Sequence, residues 1–502
     1  MGAQLTQQPD FVNRKATFWL AFAALLLIQS LPFLVTQTPA LLDYPNHLAR
    51  IFILNSWGQG GFLQQYYQPN WNVLPNLAFD GLGLLLNQVL PIQLAGQVTL
   101  LVAVALLATG MVALSAALHG TARSFSLVGF LFIFSHPFTY GFVNLILGFG
   151  LLLWGVAAWI KLRDRPWPVV LAWSVPFALG LFLAHLFAFG AYGVTLACIE
   201  LALLRGAARP LAQLQRLVAL GAAQVIVPAS LFLFASPTPL GGSTTIYTSS
   251  LLRRLRSMAL SPVRNYNDAL DIATFAAVVA LLAFGFWTRR LHIAREMRLA
   301  LVVLALICLV MPDTLATSGS AENRLPVVLS LLVAASGSWT ASGRREVVVG
   351  AMLLALLMVG RTWVTLGVFA QGDRFVHDLK SALAIAPNGA RIASVTLTTP
   401  SDHRMRPEWQ HSICYEVIEK SALVPTVFAF PTQQPLLLGP GIRNQQFPGD
   451  HIVSRPGQPM SAALFEHLDY LVLVNYAALQ APLPANLQLI STLADFQVYR
   501  IK

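Results

Sequence analysis

The sequence predicts a polytopic α-helical membrane protein with a small α/β domain at its C-terminal end. Three observations carry that reading. Only 11% of the 502 residues are charged and 56% are hydrophobic, where a soluble domain carries about 25% charged residues. Apolar runs of about 20 residues, the length a helix needs to cross a bilayer, recur along the chain. Charge is also partitioned: residues 1–371 hold 22 Lys/Arg against 11 Asp/Glu, whereas residues 372–502 hold ten of each. This composition excludes a water-soluble protein and a disordered chain. The net charge of +11 lies dispersed in the apolar part. It speaks for topology signals and contacts to membrane lipids, and against nucleic acid as a partner.

About eleven segments read as spans: 16–36, 94–117, 125–141, 142–160, 167–185, 187–204, 214–236, 270–288, 297–312, 324–341 and 346–369. The first follows Arg14 and Lys15 and lacks a small-x-small cleavage site, so it reads as a retained anchor. The stretches 125–160 and 167–204 are each too long for one helix and are split at a plausible turn. With the N-terminus cytoplasmic, alternate loops carry Arg14/Lys15, Arg123, Lys161/Arg163/Arg165, Arg205/Arg209, Arg289/Arg290/Arg295/Arg298 and Arg344/Arg345. That is the positive-inside pattern six times over. An odd number of spans puts the C-terminal region outside, together with loops 37–93, 237–269 and 313–323.

The domain reading is therefore 1–371, a transmembrane domain with outer loops 37–93 and 237–269, followed by 372–502, an extracytoplasmic α/β domain. In the latter a helix over 374–386 precedes Pro387-Asn388-Gly389, and strands are expected at 391–397, 424–428, 470–474, 487–490 and 496–501. Cys198, Cys308 and Cys414 form neither a disulfide framework nor a CxxC metal site.

The first outer loop holds the main candidate chemistry. It begins Leu42-Asp43-Tyr44-Pro45-Asn46-His47-Leu48-Ala49-Arg50. Pro45 suits the first turn of a helix. Asp43, His47 and Arg50 then fall at i, i+4 and i+7 on one face, opposite an apolar stripe of Leu48, Ile51 and Phe52. The expected object is an amphipathic surface helix whose polar face carries an acid, an imidazole and a guanidinium. The blander alternative makes Asp43 a helix N-cap with His47 and Arg50 merely solvated. Asp80, Asp268, Asp271, Asp313 and Glu322 are the other outer acids before residue 372.

Polar groups converge on the same side. His136 precedes Pro137 at the end of the third span, Asn144 follows the next turn, and His185 lies at the turn between spans five and six. Such groups near membrane depth are costly and often functional. The three histidines lack HxxxH-type spacing, so they are not expected to form a metal site; no cofactor is expected, with a divalent cation left open. Arg253, Arg254, Arg256 and Arg264 gather in the second outer loop, Arg324 opens the tenth span in Asn323-Arg324-Leu325-Pro326, and Arg361 enters the eleventh. Arginines suit a phosphate bidentately; a helix face touching lipid headgroups is the alternative for the loop cluster. His403, Arg404, Arg406, Trp409 and His411 could bind glycan or form an ordinary surface loop. No GxxxxGK[ST], GxSxG or HExxH motif is present. Ser236-Pro237-Thr238-Pro239 with Gly241-Gly242 marks a loop and not a phosphate cradle.

The chain resembles membrane glycosyltransferases of the GT-C fold class, which use polyprenyl-phosphate-linked sugars on the outer face of the membrane. Four features carry the resemblance: Asp43 shortly after the first span; a long first loop with surface helices at 44–57 and 62–86; the late segment Asn323-Arg324-Leu325-Pro326; and a soluble domain after the last span. Many members pair Asp-Glu in the first loop. Here Tyr44 follows Asp43, and Asp43-Tyr44-Pro45-Asn46-His47 looks more like bacterial membrane proteins related to this class.

The resemblance implies a GT-C-like fold in a bacterial inner membrane. It also implies transfer of a sugar from a polyprenyl-phosphate donor to a lipid or glycan acceptor of the cell envelope, with inversion. Asp43 is assigned as general base. Arg324 is the best candidate for the leaving phosphate, with Arg361 and Arg253, Arg254 and Arg256 behind it. His47, Arg50, His136, Asn144 and His185 would line the pocket. A second acid for a retaining scheme is not placed. Three other classes stay open: a polymerase or ligase of related fold, a transporter or flippase for a lipid-linked glycan, and a non-catalytic envelope assembly protein.

Overall fold

The computed structural model describes residues 15–204, 208–236, 245–247, 249–315, 318–397, 407–443, 445, 453–454, 457, 460 and 465–502. Among these, eight helices are long and apolar enough to cross a membrane. They are Lys15–Val35, Ile92–His119, Val143–Leu162, Trp167–Ala184, Leu186–Leu204, Pro210–Phe234, Asp268–Trp287 and the helix starting at Arg344. The chain is a polytopic helical membrane protein with a small sheet near its C-terminus.

Three expected spans are shorter than a bilayer requires. Residues 125–141 form a nine-residue 3-10 helix, Ser124–Phe132, and the single turn His136–Thr139. Segments 297–312 and 324–341 form Arg298–Val310 and Leu325–Ser336, of 13 and 12 residues. At 1.5 Å per residue these are about 18–20 Å long, against a hydrocarbon core of about 30 Å. Each apolar run contains or meets a breaker: Pro137, Pro312, and Gly337-Ser338-Trp339. The last leaves helical geometry to pair antiparallel with Leu291–Ile293.

The chain divides into two compact units. The first comprises Met1–Leu34, Leu100–Phe138 and Val143–Leu366. Its central helix, Val143–Leu162, buries most of its length and packs against Trp167–Ala184 and Leu186–Leu204. Small residues permit the close approaches, as is usual between helices in lipid. A Cβ on Gly110 would lie 2.9 Å from Leu153 Cβ, and one on Gly150 2.7 Å from Leu106 Cγ. Outward-facing side chains such as Leu211, Phe234, Trp287, Leu356 and Trp363 are exposed and apolar, as a lipid-facing surface requires.

The second unit comprises Val35–Thr99, Thr139–Phe142 and Gly367–Lys502. The expected transmembrane domain included loop 37–93, yet that loop folds here with the C-terminal residues. Asp373 accepts the backbone N–H groups of Gln37 and Thr38 at 3.1 and 2.6 Å. Tyr67–Pro69 pairs antiparallel with Leu436–Leu438, and the Tyr67 hydroxyl bonds the backbone of Val424 through both its N–H and its C=O. The expected helix 374–386 is the end of one continuous helix, Arg344–Ala382, closed by the 3-10 turn Leu383–Ile385.

The sheet has five strands in the order Val453–Ser454, Ile392–Leu397, Tyr470–Val474, Phe496–Ile501, Leu487–Leu493. The first three run parallel and the last two are antiparallel additions. Ile392–Leu397 and Tyr470–Val474 are buried throughout, which is why they read as continuous apolar runs. Ala393, Val395, Leu397, Leu471 and Leu473 meet Phe465 and Leu468 in the core. The expected strand 424–428 does not form. Its backbone groups are taken by side chains instead: the Val424 N–H by Tyr67 and the Phe428 N–H by Asn46 Oδ1, at 2.9 Å.

The first-loop helix runs Tyr44–Asn55 and is no surface helix. Every residue from Tyr44 to Ile51 is buried, because the helix packs between Ala78–Leu86 and Tyr415–Lys420. Ala78–Leu86 meets both faces: Asp80 pairs with Arg50, and Gly83 lies against Ile51 of the apolar stripe. The region expected as helix over 62–86 is the five-residue helix Phe62–Tyr66, the short strand and then Ala78–Leu86.

Candidate functional site

Asp43 stands at the head of the helix Tyr44–Asn55 in a helical conformation, φ −87° and ψ −8°, and its side chain makes no capping hydrogen bond. Its position is fixed through the backbone. The Leu42 and Asp43 N–H groups donate to the carbonyls of Thr139 and Tyr140, both at 3.1 Å. Gly141, at φ +77°, lies against this turn; a Cβ there would sit 2.7 Å from Asp43 N. Only glycine holds that conformation at that approach without strain. The Asp43 carboxylate is 15% exposed, and its Oδ1 is 3.9 Å from Nε2 of His411, whose side chain is 1% exposed. His411 rests edge-on against Phe428, ring centroids 5.2 Å apart. It directly precedes the 3-10 turn Ser412–Cys414, which leads into the helix Tyr415–Lys420 packed on Tyr44–Asn55.

One turn beyond Asp43, the His47 N–H donates to the Asp43 carbonyl at 3.1 Å. His47 Nδ1 is 2.7 Å from an Arg50 guanidinium nitrogen. A guanidinium only donates, so Nδ1 accepts and the ring proton sits on Nε2. Burial holds this imidazole well below its ordinary range; Arg50 adds to the effect, and a bond to the Gly141 backbone opposes it. His47 is therefore neutral. Arg50 in turn grips Asp80 with two bonds, Nε to Oδ1 at 2.6 Å and a terminal nitrogen to Oδ2 at 3.0 Å. The pair is sealed from solvent. His47 and Arg50 thus form a chain from Asp80 to the Gly141 backbone, which frames Asp43. They are not solvated, and they do not present a polar face.

The first unit holds the remaining expected site residues. The His136 N–H donates to the Ser261 carbonyl, whose hydroxyl donates to Asn323 Oδ1 at 2.6 Å. His185 ends Trp167–Ala184 in an extended conformation. Its Nδ1 accepts the Phe187 N–H at 3.1 Å, capping Leu186–Leu204. Arg324, itself buried, lies 4.9 Å over the Phe187 ring and donates to the Gly319 carbonyl at 2.8 Å. Beside it Glu322 is pushed above the usual carboxylate range by burial, against the pull of Arg253 and Arg324. His185, Arg324 and, through Ser261 and Asn323, His136 are brought together.

Of the other candidates, Arg253 acts on the same Glu322. Arg361 is committed to a buried ion pair with Asp271, 3.0 Å, and to the Phe134 carbonyl, 2.8 Å. Asn144 is buried in the first turn of Val143–Leu162. Arg253, Arg254 and Arg256 sit on Leu251–Leu260, which buries none of its residues. Arg253 and Arg256 are exposed, and Arg254 lies 5.1 Å over the Tyr247 ring. His403, Arg404, Arg406 and the Pro/Gly stretch 237–242 fall outside the described residues.

Sequence reasoning did not find the partnerships Asp43–His411, Arg50–Asp80 and Arg361–Asp271, or the need for glycine at 141. Only the last left a local signal, a glycine at the turn chosen to split 125–160. In the second unit the arrangement offers a partly exposed carboxylate beside a buried imidazole, on a rigidly tied turn. That is the composition of a proton-accepting site. Compared with known proteins, the chain matches no family model and no curated sequence.

Proposed function

We propose that the chain is a membrane glycosyltransferase that moves a sugar from a polyprenyl-phosphate donor to an envelope acceptor on the outer side of a bacterial plasma membrane. The observation that carries the reading is Asp43: an acid heading a buried helix, not used as its cap, and partly open to solvent beside His411. The resemblance to GT-C enzymes places the base at this point of the chain. The apolar helices suit a lipid-borne donor.

In the proposed reaction the acceptor O–H gives its proton to the Asp43 carboxylate as its oxygen bonds to the anomeric carbon. The bond from that carbon to the donor's phosphate oxygen breaks, and polyprenyl phosphate leaves with the electron pair. The phosphate is a good leaving group, so no general acid is needed. One displacement inverts the anomeric centre. His411, fixed by its aromatic neighbour, positions the carboxylate. Arg50 and Arg361 are not available to a donor phosphate, being committed to Asp80 and Asp271.

The test is a donor screen on wild type and Asp43→Asn in nanodiscs, with a panel of polyprenyl-phosphate sugars and an envelope extract as acceptor. Polyprenyl phosphate released by wild type and not by the variant supports the reading. Release by neither, with donor bound by both, moves it to a transporter or an assembly protein.

A further inference from the structure

A cavity of about 470 Å³ opens at the end of Leu186–Leu204 remote from His185. Its lining includes Arg163, Glu200, Arg209, Gln213, Arg216 and Leu220, all in the first unit. We infer that it binds the phosphodiester headgroup of an anionic phospholipid. This inference is independent of the proposed transferase activity.

Charge comes first. Three arginines, Arg163, Arg209 and Arg216, face two acids, Glu200 and Asp164. Glu200 is already engaged by Arg163 at 3.2 Å and by Trp159 Nε1 at 2.9 Å. Asp164 is 88% exposed and lies 3.9 Å from Arg163 Nε. Among the described residues neither Arg209 nor Arg216 has a carboxylate partner. The lining keeps one net positive charge, the complement of the single negative charge of a phosphodiester.

Geometry follows. Arg209, Gln213 and Arg216 fall at i, i+4 and i+7, on one face at the start of Pro210–Phe234. The same face continues into Leu217 and Leu220, so the lining turns from polar to apolar with depth. That is the order of a headgroup and its acyl chain. Arg216 is held in place by the carbonyls of Arg163 and Arg165. The N-terminal end of a 25-residue helix adds its dipole. Leu211 and Val218 on this helix are exposed and face the lipid from which such a ligand comes. The volume far exceeds what an inorganic phosphate ion fills, and the leucines have no use for one.

The experiment is native mass spectrometry of the full-length protein in mild detergent, titrated with phosphatidylglycerol. Wild type and an Arg344→Ala/Arg345→Ala control should retain the lipid alike. Arg209→Ala/Arg216→Ala should retain it at least tenfold less, and Arg209→Lys/Arg216→Lys should recover most of the loss. Phosphatidylcholine, with no net charge, should be held less than phosphatidylglycerol. Equal retention of phosphatidylglycerol by wild type and the alanine pair overturns the inference. So does displacement of the lipid by inorganic phosphate at equal concentration, which makes this a free-anion site.

Discussion

Glu416 offers a quantitative test of the second unit. It lies in the helix Tyr415–Lys420, fully buried, and neither carboxylate oxygen has a hydrogen-bond partner among the described residues. Burial raises its pKa from 4.5 to about 7, helped by Glu419 and opposed by Lys420 and Lys380. The folded protein therefore holds a proton that the unfolded chain has released, between pH 4.5 and about 7. Stability must fall as pH rises through that window and level off above it. At about 1.36 kcal/mol per pH unit, the loss is about 3 kcal/mol. Glu416→Gln cannot ionise and removes this dependence. Thermal unfolding of wild type and variant, followed by tryptophan fluorescence from pH 4.5 to 8, gives the difference directly. The two should melt together at the acidic end, with the variant more stable by about 6–12 °C at pH 8. A difference that does not change with pH, or a variant less stable at pH 8, would refute the reasoning.

Three further outcomes follow from the site. Asp80→Asn strands Arg50 in a dry interior and should cost about 3–5 kcal/mol, while Arg50→Met with Asp80→Leu should recover most of it in chemical melts. Gly141→Ala puts a side chain at φ +77° and 2.7 Å from Asp43 N; it should lower stability by at least about 1–2 kcal/mol and reduce transfer by moving Asp43. His411→Asn should cut turnover by about 10²-fold with donor binding kept, as expected for a positioning residue, and a KM-against-kcat comparison reads this.

Much of the transmembrane part was legible because length and apolarity act locally. Eight expected spans correspond to long helices, and the turns at Gly141 and His185 that split the two longest runs are real. The misread segments are those where tertiary partners override local pattern. Tyr44–Asn55 has an amphipathic sequence, yet Asp80 and the helices Ala78–Leu86 and Tyr415–Lys420 bury it from Tyr44 to Ile51. Val424–Phe428 has strand composition, but Tyr67 and Asn46, more than 350 residues away, take its backbone groups. His411 meets Asp43 across 368 positions, which no spacing rule encodes.

The central claim is that Asp43 accepts the acceptor's proton. The direct measurement is donor binding and single-turnover transfer by the same preparation of wild type and Asp43→Asn, with a polyprenyl-phosphate sugar that wild type turns over. Binding should be unchanged and the transfer rate lower by about 10²–10⁴-fold. Full transfer by the variant would remove Asp43 from the chemistry.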